Sequence, residues 1–216
     1  MPIKAVFFDN DGVLVSTEHL VYEANLEVFT GMGIPYRIED FVDHTLLTDK
    51  GSRGFVYERG FDDGFYADFV LRRNAVWFDV LGESDHSIEG VREVLDAFSG
   101  LDLVITTSAQ EEPFKRSHLK TGLLEHFSSW ITREQYAREK PHPDVYLQAL
   151  EQSRLRANEI IAVEDTPRGV QAVRSAGLTA VAIPHGFTVG MDFSEADYVL
   201  NSIRELPDLI AEINSR

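Results

Sequence analysis

Apolar positions along this chain fall into two rhythms. Short continuous runs stand at Ile3 to Phe8, Leu103 to Thr106, Ile160 to Val163 and Thr179 to Ile183, with a weaker one at Tyr198 to Leu200. Turn or polar residues bound each run, so each predicts a strand buried on both faces, as strands of parallel sheets are. Between the runs the period lengthens. Val91, Val94, Leu95 and Phe98 recur at helical spacing, from a start at Ser87 to a stop at Gly100. Thr166-Pro167 reads as an N-cap with proline at the first helical position, and Gly177 ends that helix. Ser202 with Glu205, and Ser108 with Glu111, have the spacing of a capping box. Strands alternating with helices predict an α/β fold built on a parallel sheet.

The stretch 17–82 does not keep that alternation. It lacks a buried-strand run and carries Tyr22, Phe29, Phe55, Phe65, Phe69 and Trp77 at helical spacings. It predicts a small helical insertion after the first strand, leaving 1–16 and 83–216 as the α/β core. Trp77 and Trp130 are expected to be packing residues, and His142 and His185 plain loop histidines.

Charge and composition then remove whole classes of function. Acidic residues outnumber basic ones 36 to 20, a formal charge of −16. Such a surface repels phosphate backbones and anionic lipid, which argues against a nucleic-acid or membrane-surface role. The chain has no cysteine, so it has no disulfide, thiolate metal site or cysteine nucleophile. Its first apolar run is short and broken by Asp9, and nothing approaches the roughly 18 apolar residues of a membrane span. A soluble cytoplasmic protein is the expectation.

Polar groups gather where the runs end. They are Asp9 and Asp11, Thr107 and Ser108, Lys140 in a later loop, and Glu164 with Asp165. Taken singly, each suits a turn, a cap or a solvated loop. Together they occupy the carboxyl ends of parallel strands, where open α/β sheets hold their ligands. Several carboxylates meeting at one point repel unless a cation joins them. Oxygen donors without cysteine or a histidine cluster suit a hard ion, most simply Mg²⁺. A cation, an ammonium and a hydroxyl at a helix start together make a site for a phosphate dianion.

These segments resemble the four motifs of the haloacid-dehalogenase-like hydrolases, with the β-phosphoglucomutase-like phosphatases as the nearest branch. Phe8-Asp9-Asn10-Asp11-Gly12-Val13-Leu14-Val15 resembles the first motif and Val104-Ile105-Thr106-Thr107-Ser108 the second. Lys140-Pro141-His142-Pro143-Asp144 resembles the third, and Val163-Glu164-Asp165-Thr166-Pro167 with Ala176-Gly177 the fourth. The resemblance implies a Rossmann-like sheet with an inserted helical cap that selects substrate. It implies Asp9 as nucleophile, Asp11 as general acid/base, and Thr107, Ser108 and Lys140 on the phosphoryl group. Thr106 competes with Thr107 for the second-motif role. Mg²⁺ would be held by Asp9, Asp11 (through its carbonyl), Glu164 and Asp165.

The implied activity is hydrolysis of a small phosphorylated metabolite, such as a sugar phosphate, through an aspartyl-phosphate. A phosphomutase would use the same four motifs. Mutase members carry a histidine on the first cap helix where this chain has Val21, and His19 lies about 200° round that helix. A phospho-accepting receiver is the third reading, but its acid pair precedes its lysine, the reverse of the order here. The first motif also departs from the usual Asp-Ser-Glu, reading Ser16-Thr17-Glu18. In the cap, Lys50 and Arg73 are candidate substrate contacts, with Arg53 beside them.

Overall fold

A computed structural model describes residues 2–216; residue 1 of the expected 1–16 segment lies outside the described residues. The apolar runs form β1 (Ala5–Phe8), β2 (Asp102–Thr106), β4 (Ile160–Glu164), β5 (Thr179–Ala182) and the short β6 (Tyr198–Val199). One further strand, β3 (Ser129–Ile131), has no apolar run to announce it. It lies at a sheet edge and has three residues, so packing asks little of its sequence. All pairings are parallel, in the order β3-β2-β1-β4-β5-β6.

Side chains alternate across the sheet, and both faces are apolar. Val6, Phe8, Leu103, Ile105, Ile161 and Val163 point to one core, Ala5, Phe7, Val104 and Ala162 to the other. The helices numbered in chain order after the insertion are α5 (Val91–Ala97), α6 (Glu111–Ser117), α7 (Asp144–Ser153), α8 (Pro167–Ser175) and α9 (Leu206–Ser215). Residues of α5, α6 and α9 join the first core, and those of α7 and α8 the second. Thr166 caps α8 by accepting a hydrogen bond from the Gly169 amide at 3.1 Å, with Pro167 at the start of the helix.

Residues between β1 and β2 form α1 (Glu18–Gly31), α2 (Ile38–Phe41), α3 (Gly51–Glu58) and α4 (Asp63–Leu81). A π-helical turn, Val42–Leu46, continues α2. This helical unit has its own aromatic core: Phe29 stacks on Phe69 at 4.0 Å, and Phe55 and Tyr36 close the cluster. The chain leaves the sheet through Val15-Ser16 and returns beside it, with the Ser16 amide bonded to the His86 carbonyl at 2.9 Å.

That return path corrects one expectation. Ser87 does not open a helix; it bridges to Val15 in antiparallel fashion, and α5 starts later, after Gly90. Backbone pairing between the two crossing segments competes with helical turns there. Ser108 likewise does not cap α6, whose N-cap is Gln110. Among the described residues no helix is long and apolar enough to cross a membrane.

Candidate active site

β1 lies between β2 and β4, so the strand order reverses direction beside it and opens a crevice at the carboxyl ends. Register decides what meets there. Phe8 pairs with Ile105 on one side and Val163 on the other. The next residues along the three strands are Asp9, Thr106 and Glu164, so sheet hydrogen bonding alone brings their main chains together. The Asp9 amide continues the ladder, donating to the Val163 carbonyl at 2.9 Å.

Lys140 arrives from the loop before α7 and is buried to 1% exposure. Its ammonium lies 2.9 Å from Asp9 Oδ1 and 2.6 Å from Glu164 Oε1, and donates to the Thr106 carbonyl at 3.0 Å. Burial alone would push its pKa down, but Asp9 and Glu164 outweigh burial and hold it well above its ordinary value. The Tyr146 hydroxyl, from α7, also donates to Glu164. Glu164 is therefore turned toward Lys140, although its carboxylate can lie within 4.8 Å of those of Asp9 and Asp165.

The two competing threonines separate cleanly. The Thr106 hydroxyl donates back into the sheet, to the Phe8 carbonyl at 3.2 Å. Thr107 and Ser108 line the cavity, and the Thr107 hydroxyl accepts from the Ala109 amide at 2.9 Å. Asp11 follows in a turn closed by Asn10, whose carbonyl accepts from the Leu14 amide at 2.8 Å. Burial pushes the Asp11 pKa up, against the hydrogen bonds from Thr17 and Asn10 that favour its charged form; the Asp9 charge raises it further.

Asp165 is fully buried, and neither of its oxygens receives a hydrogen bond. Burial, then Glu18, Asp9 and Glu164, push its pKa well up. Glu18, from the first turn of α1, is itself pushed up to about 8 by burial and by Asp11. Asp9, Asp11, Glu18, Glu164 and Asp165 thus share one corner with a single lysine. That excess of buried negative charge, and the orphaned carboxylate in particular, fits a hard divalent cation such as Mg²⁺. Two glycines make room for these carboxylates. Gly12 has φ +79°, and a Cβ there would stand 2.0 Å from Asp165 Oδ2. At Gly169 a Cβ would meet the Glu164 carboxylate at 1.9 Å.

Over this floor the helical unit makes a roof of Val21, Phe41, Leu46, Trp77 and Leu81, enclosing a cavity of about 230 Å³. Trp77 corrects the expectation of a plain packing residue, since it faces the cavity. Lys50 and Arg53 are engaged at the surface, with Glu58 at 2.8 Å and Asp63 at 3.1 Å. Among the described residues Arg73 has no acidic partner. It stacks over Trp77 at 4.9 Å and bonds Asn74 Oδ1 at 2.8 Å, with burial lowering its pKa. It borders a second cavity between roof and floor, lined also by Asn25, Tyr66 and Arg133.

Known proteins share this fold. Residues 6–183 match the haloacid dehalogenase-like hydrolase family. The chain belongs to that family. It is 30% identical to Protein CbbY of Rhodobacter capsulatus, over 98% of this chain and 96% of that one. It is 27% identical to the phosphorylated carbohydrates phosphatase of Thermotoga maritima, over 98% of this chain and 100% of the other. In fold it superposes on CbbY of Rhodobacter sphaeroides, crystallised with xylulose-(1,5)bisphosphate, with a TM-score of 0.83 at 23% identity, covering 94% and 96% of the two chains.

Within a haloacid dehalogenase-like hydrolase, four polar residues around the motifs escaped sequence reasoning. Thr17, Glu18, Asn10 and His118 all contact or face the acidic corner. Thr17 and Glu18 were visible as part of the Ser16-Thr17-Glu18 departure. Asn10, polar at the end of a buried apolar strand, was a signal of the same kind as Asp9. His118 sits in the turn after α6, and only the three-dimensional structure brings it to β1.

Proposed function

We propose that this hydrolase is a Mg²⁺-dependent phosphatase of small phosphorylated carbohydrates, working through an aspartyl-phosphate on Asp9. The observation that carries the reading is the Asp9–Lys140 pair at a buried strand end, beside an Asp165 carboxylate that no donor satisfies. Asp9 and Asp165, with Glu164 and the Asp11 carbonyl beside them, would hold Mg²⁺, which when bound supplies the positive charge that lets an anionic nucleophile approach a phosphate.

The chain's own residues do the rest. A carboxylate oxygen of Asp9 attacks phosphorus while Lys140 offsets charge on the phosphoryl oxygens and Thr107 and Ser108 orient them. The bond from phosphorus to the ester oxygen breaks, and the departing alkoxide takes the proton held by Asp11. Asp11, now ionised, takes a proton from water, and that water attacks the aspartyl-phosphate, releasing phosphate and restoring Asp9. Glu164, held by Tyr146, keeps Lys140 charged and in place.

The helical unit acts in this reading as a cap that selects substrate. Its cavity has the size of a metabolite, and Arg73, on the adjoining cavity between roof and floor, offers an unpaired guanidinium to a second anionic group. Val21, which lines the roof, cannot hydrogen-bond to Asp11, and His19 is exposed. That favours hydrolysis over mutase chemistry, which must shield the aspartyl-phosphate from water.

The test is phosphate release with Mg²⁺ from a panel of glucose 6-phosphate, glyceraldehyde 3-phosphate, phosphoglycolate, xylulose 1,5-bisphosphate and p-nitrophenyl phosphate. Turnover of at least one sugar phosphate, lost in excess chelator, is expected; no turnover of any member would end the reading. Incubation with glucose 1-phosphate isomers and a bisphosphate primer separates the mutase: 6-phosphate formed faster than free phosphate would favour it.

A further inference from the structure

A buried chain of polar side chains ends on Asp11. Asn10, 0% exposed, donates from Nδ2 to Asp11 Oδ2 at 3.1 Å. Its Oδ1 lies 2.7 Å from His118 Nε2, and His118 Nδ1 lies 3.0 Å from the Thr121 hydroxyl. Thr121 is 1% exposed and His118 5%, so these groups have one another and not water.

With Asp11 ionised, the directions of these bonds follow by elimination. Turning the Asn10 amide over would set its oxygen against the Asp11 carboxylate. Its nitrogen therefore faces Asp11 and its oxygen accepts, so His118 must donate from Nε2. Burial pushes the His118 pKa down to about 4, so the ring is neutral, with a bare Nδ1 that accepts from Thr121. Hydrogen bonds thus run one way, from Thr121 through His118 and Asn10 to Asp11. The Thr17 hydroxyl donates to the other oxygen, Oδ1, so both edges of the carboxylate are held.

We infer that Asn10 and His118 are positioning residues for Asp11, holding its carboxyl where it can protonate the leaving group. Because His118 follows directly on α6, the relay also ties Asp11 to the helix that succeeds the Thr107-Ser108 loop. Proton donor and phosphate-binding loop are then braced against each other and stay in register. The inference rests on the phosphatase reading. A side chain free to rotate would lose part of the roughly 10²–10⁴-fold that a placed general acid contributes.

The experiment compares esters that differ in need of that proton. Nitrophenolate leaves without help, whereas a sugar alkoxide does not. kcat/KM, which reports steps through the first phosphoryl transfer, is measured with p-nitrophenyl phosphate and with the best-hydrolysed sugar phosphate of the panel. Asn10→Leu and His118→Phe are expected to lose about tenfold or more on the sugar phosphate and less than about threefold on the aryl ester. His118→Gln keeps an N–H near the ε position and is expected to stay within about threefold of wild type on both. A general defect would lower both esters alike, so equal losses, or no loss on the sugar phosphate, in a variant with wild-type melting and Mg²⁺ half-saturation would overturn the inference. Should His118→Phe not fold, Asn10→Leu and His118→Gln decide it. If the wild type hydrolyses no sugar phosphate, the phosphatase reading itself has failed, and this inference with it.

Discussion

Floor and roof of the cavity are built on opposite principles. The floor places each charged group by sheet register. Asp9 and Glu164 sit at the ends of adjacent parallel strands, and Lys140 is buried against both. The roof is held by aromatic packing around Phe29 and Phe69, and, apart from Arg73 and the Glu18 that α1 turns toward the floor, its ion pairs are mostly solvent-exposed, as in Lys50–Glu58 and Arg53–Asp63. Exposed pairs contribute little and tolerate change; buried ones do neither. The contrast suggests a division of labour in which the floor sets the chemistry and the roof sets the choice of substrate. Changes to the floor should then act on all substrates alike, and changes to the roof should act on some.

The largest effect belongs to the proposed nucleophile. Asp9→Asn keeps the shape of the side chain, so the fold should persist, while turnover of every ester should fall by about 10⁴-fold or more. Circular dichroism and phosphate release check both halves. Appreciable turnover by a well-folded variant would remove Asp9 from that role.

Asp165→Asn should act on the metal. Losing a charged ligand is expected to raise the Mg²⁺ concentration for half-maximal activity by about 10–100-fold. In chelator the same variant should melt higher than wild type, because it removes a buried carboxylate that nothing satisfies. Thermal melts with and without Mg²⁺ read this independently of turnover. A wild-type melting temperature indifferent to Mg²⁺ would count against the site.

On the roof, Arg73→Met should raise KM about tenfold for substrates with a second anionic group and leave p-nitrophenyl phosphate near wild type. Lys50→Ala, which breaks only an exposed pair, should change neither. Equal loss on all esters for Arg73→Met would erase the proposed division between floor and roof.

How much of this was legible beforehand follows the same line. The floor was readable because buried parallel strands leave a continuous apolar signature and the polar residues that end them stand out against it. Asp9 and Asp165 could be named from such breaks, and Lys140, in a loop, only from the third motif it resembles. Side-chain orientation was not readable: nothing in Thr106-Thr107 says which hydroxyl turns into the sheet, and Glu164 gives no sign that it faces Lys140. The roof was legible as helical and aromatic, but not which aromatic residues face inward. Trp77 was assigned to packing because a helical stripe looks the same whether it covers a core or a cavity. β3 and Ser87 were misread because edge pairing and crossing-segment bridges need little of the local sequence. His118 acts on a residue 108 positions away, a distance no local pattern spans.

The smallest expected effect, on stability and not on turnover, concerns the charge crowding itself. Glu18 has its pKa raised to about 8 in the folded protein, against an ordinary value near 4.5. Between those values the folded state binds a proton that the unfolded state has already released. Stability is therefore fully present below about pH 4.5 and is lost as pH rises through 8. His118, whose folded pKa is lowered to about 4, works in the other direction, favouring the fold above its ordinary 6.5 and losing that benefit as pH falls toward 4. From pH 6.5 upward His118 is neutral in the folded state and at most half-protonated in the unfolded one, so the little stability it still gains with pH is outweighed by the acidic corner, which governs the window from 6.5 to 8. Metal-free protein should lose stability across that window, seen as a fall in melting temperature. Glu18→Gln should flatten at least half of that slope, and saturating Mg²⁺ should flatten it in the wild type, because a cation lets the carboxylates ionise without mutual repulsion. In the exposed roof pairs the carboxylates titrate below this window, Glu58 at about 2, and Lys50 and Arg53 above it, so they contribute nothing to it. A metal-free melting temperature that stays level or climbs from pH 6.5 to 8 would show that the floor does not carry the crowded charge on which its contrast with the roof depends.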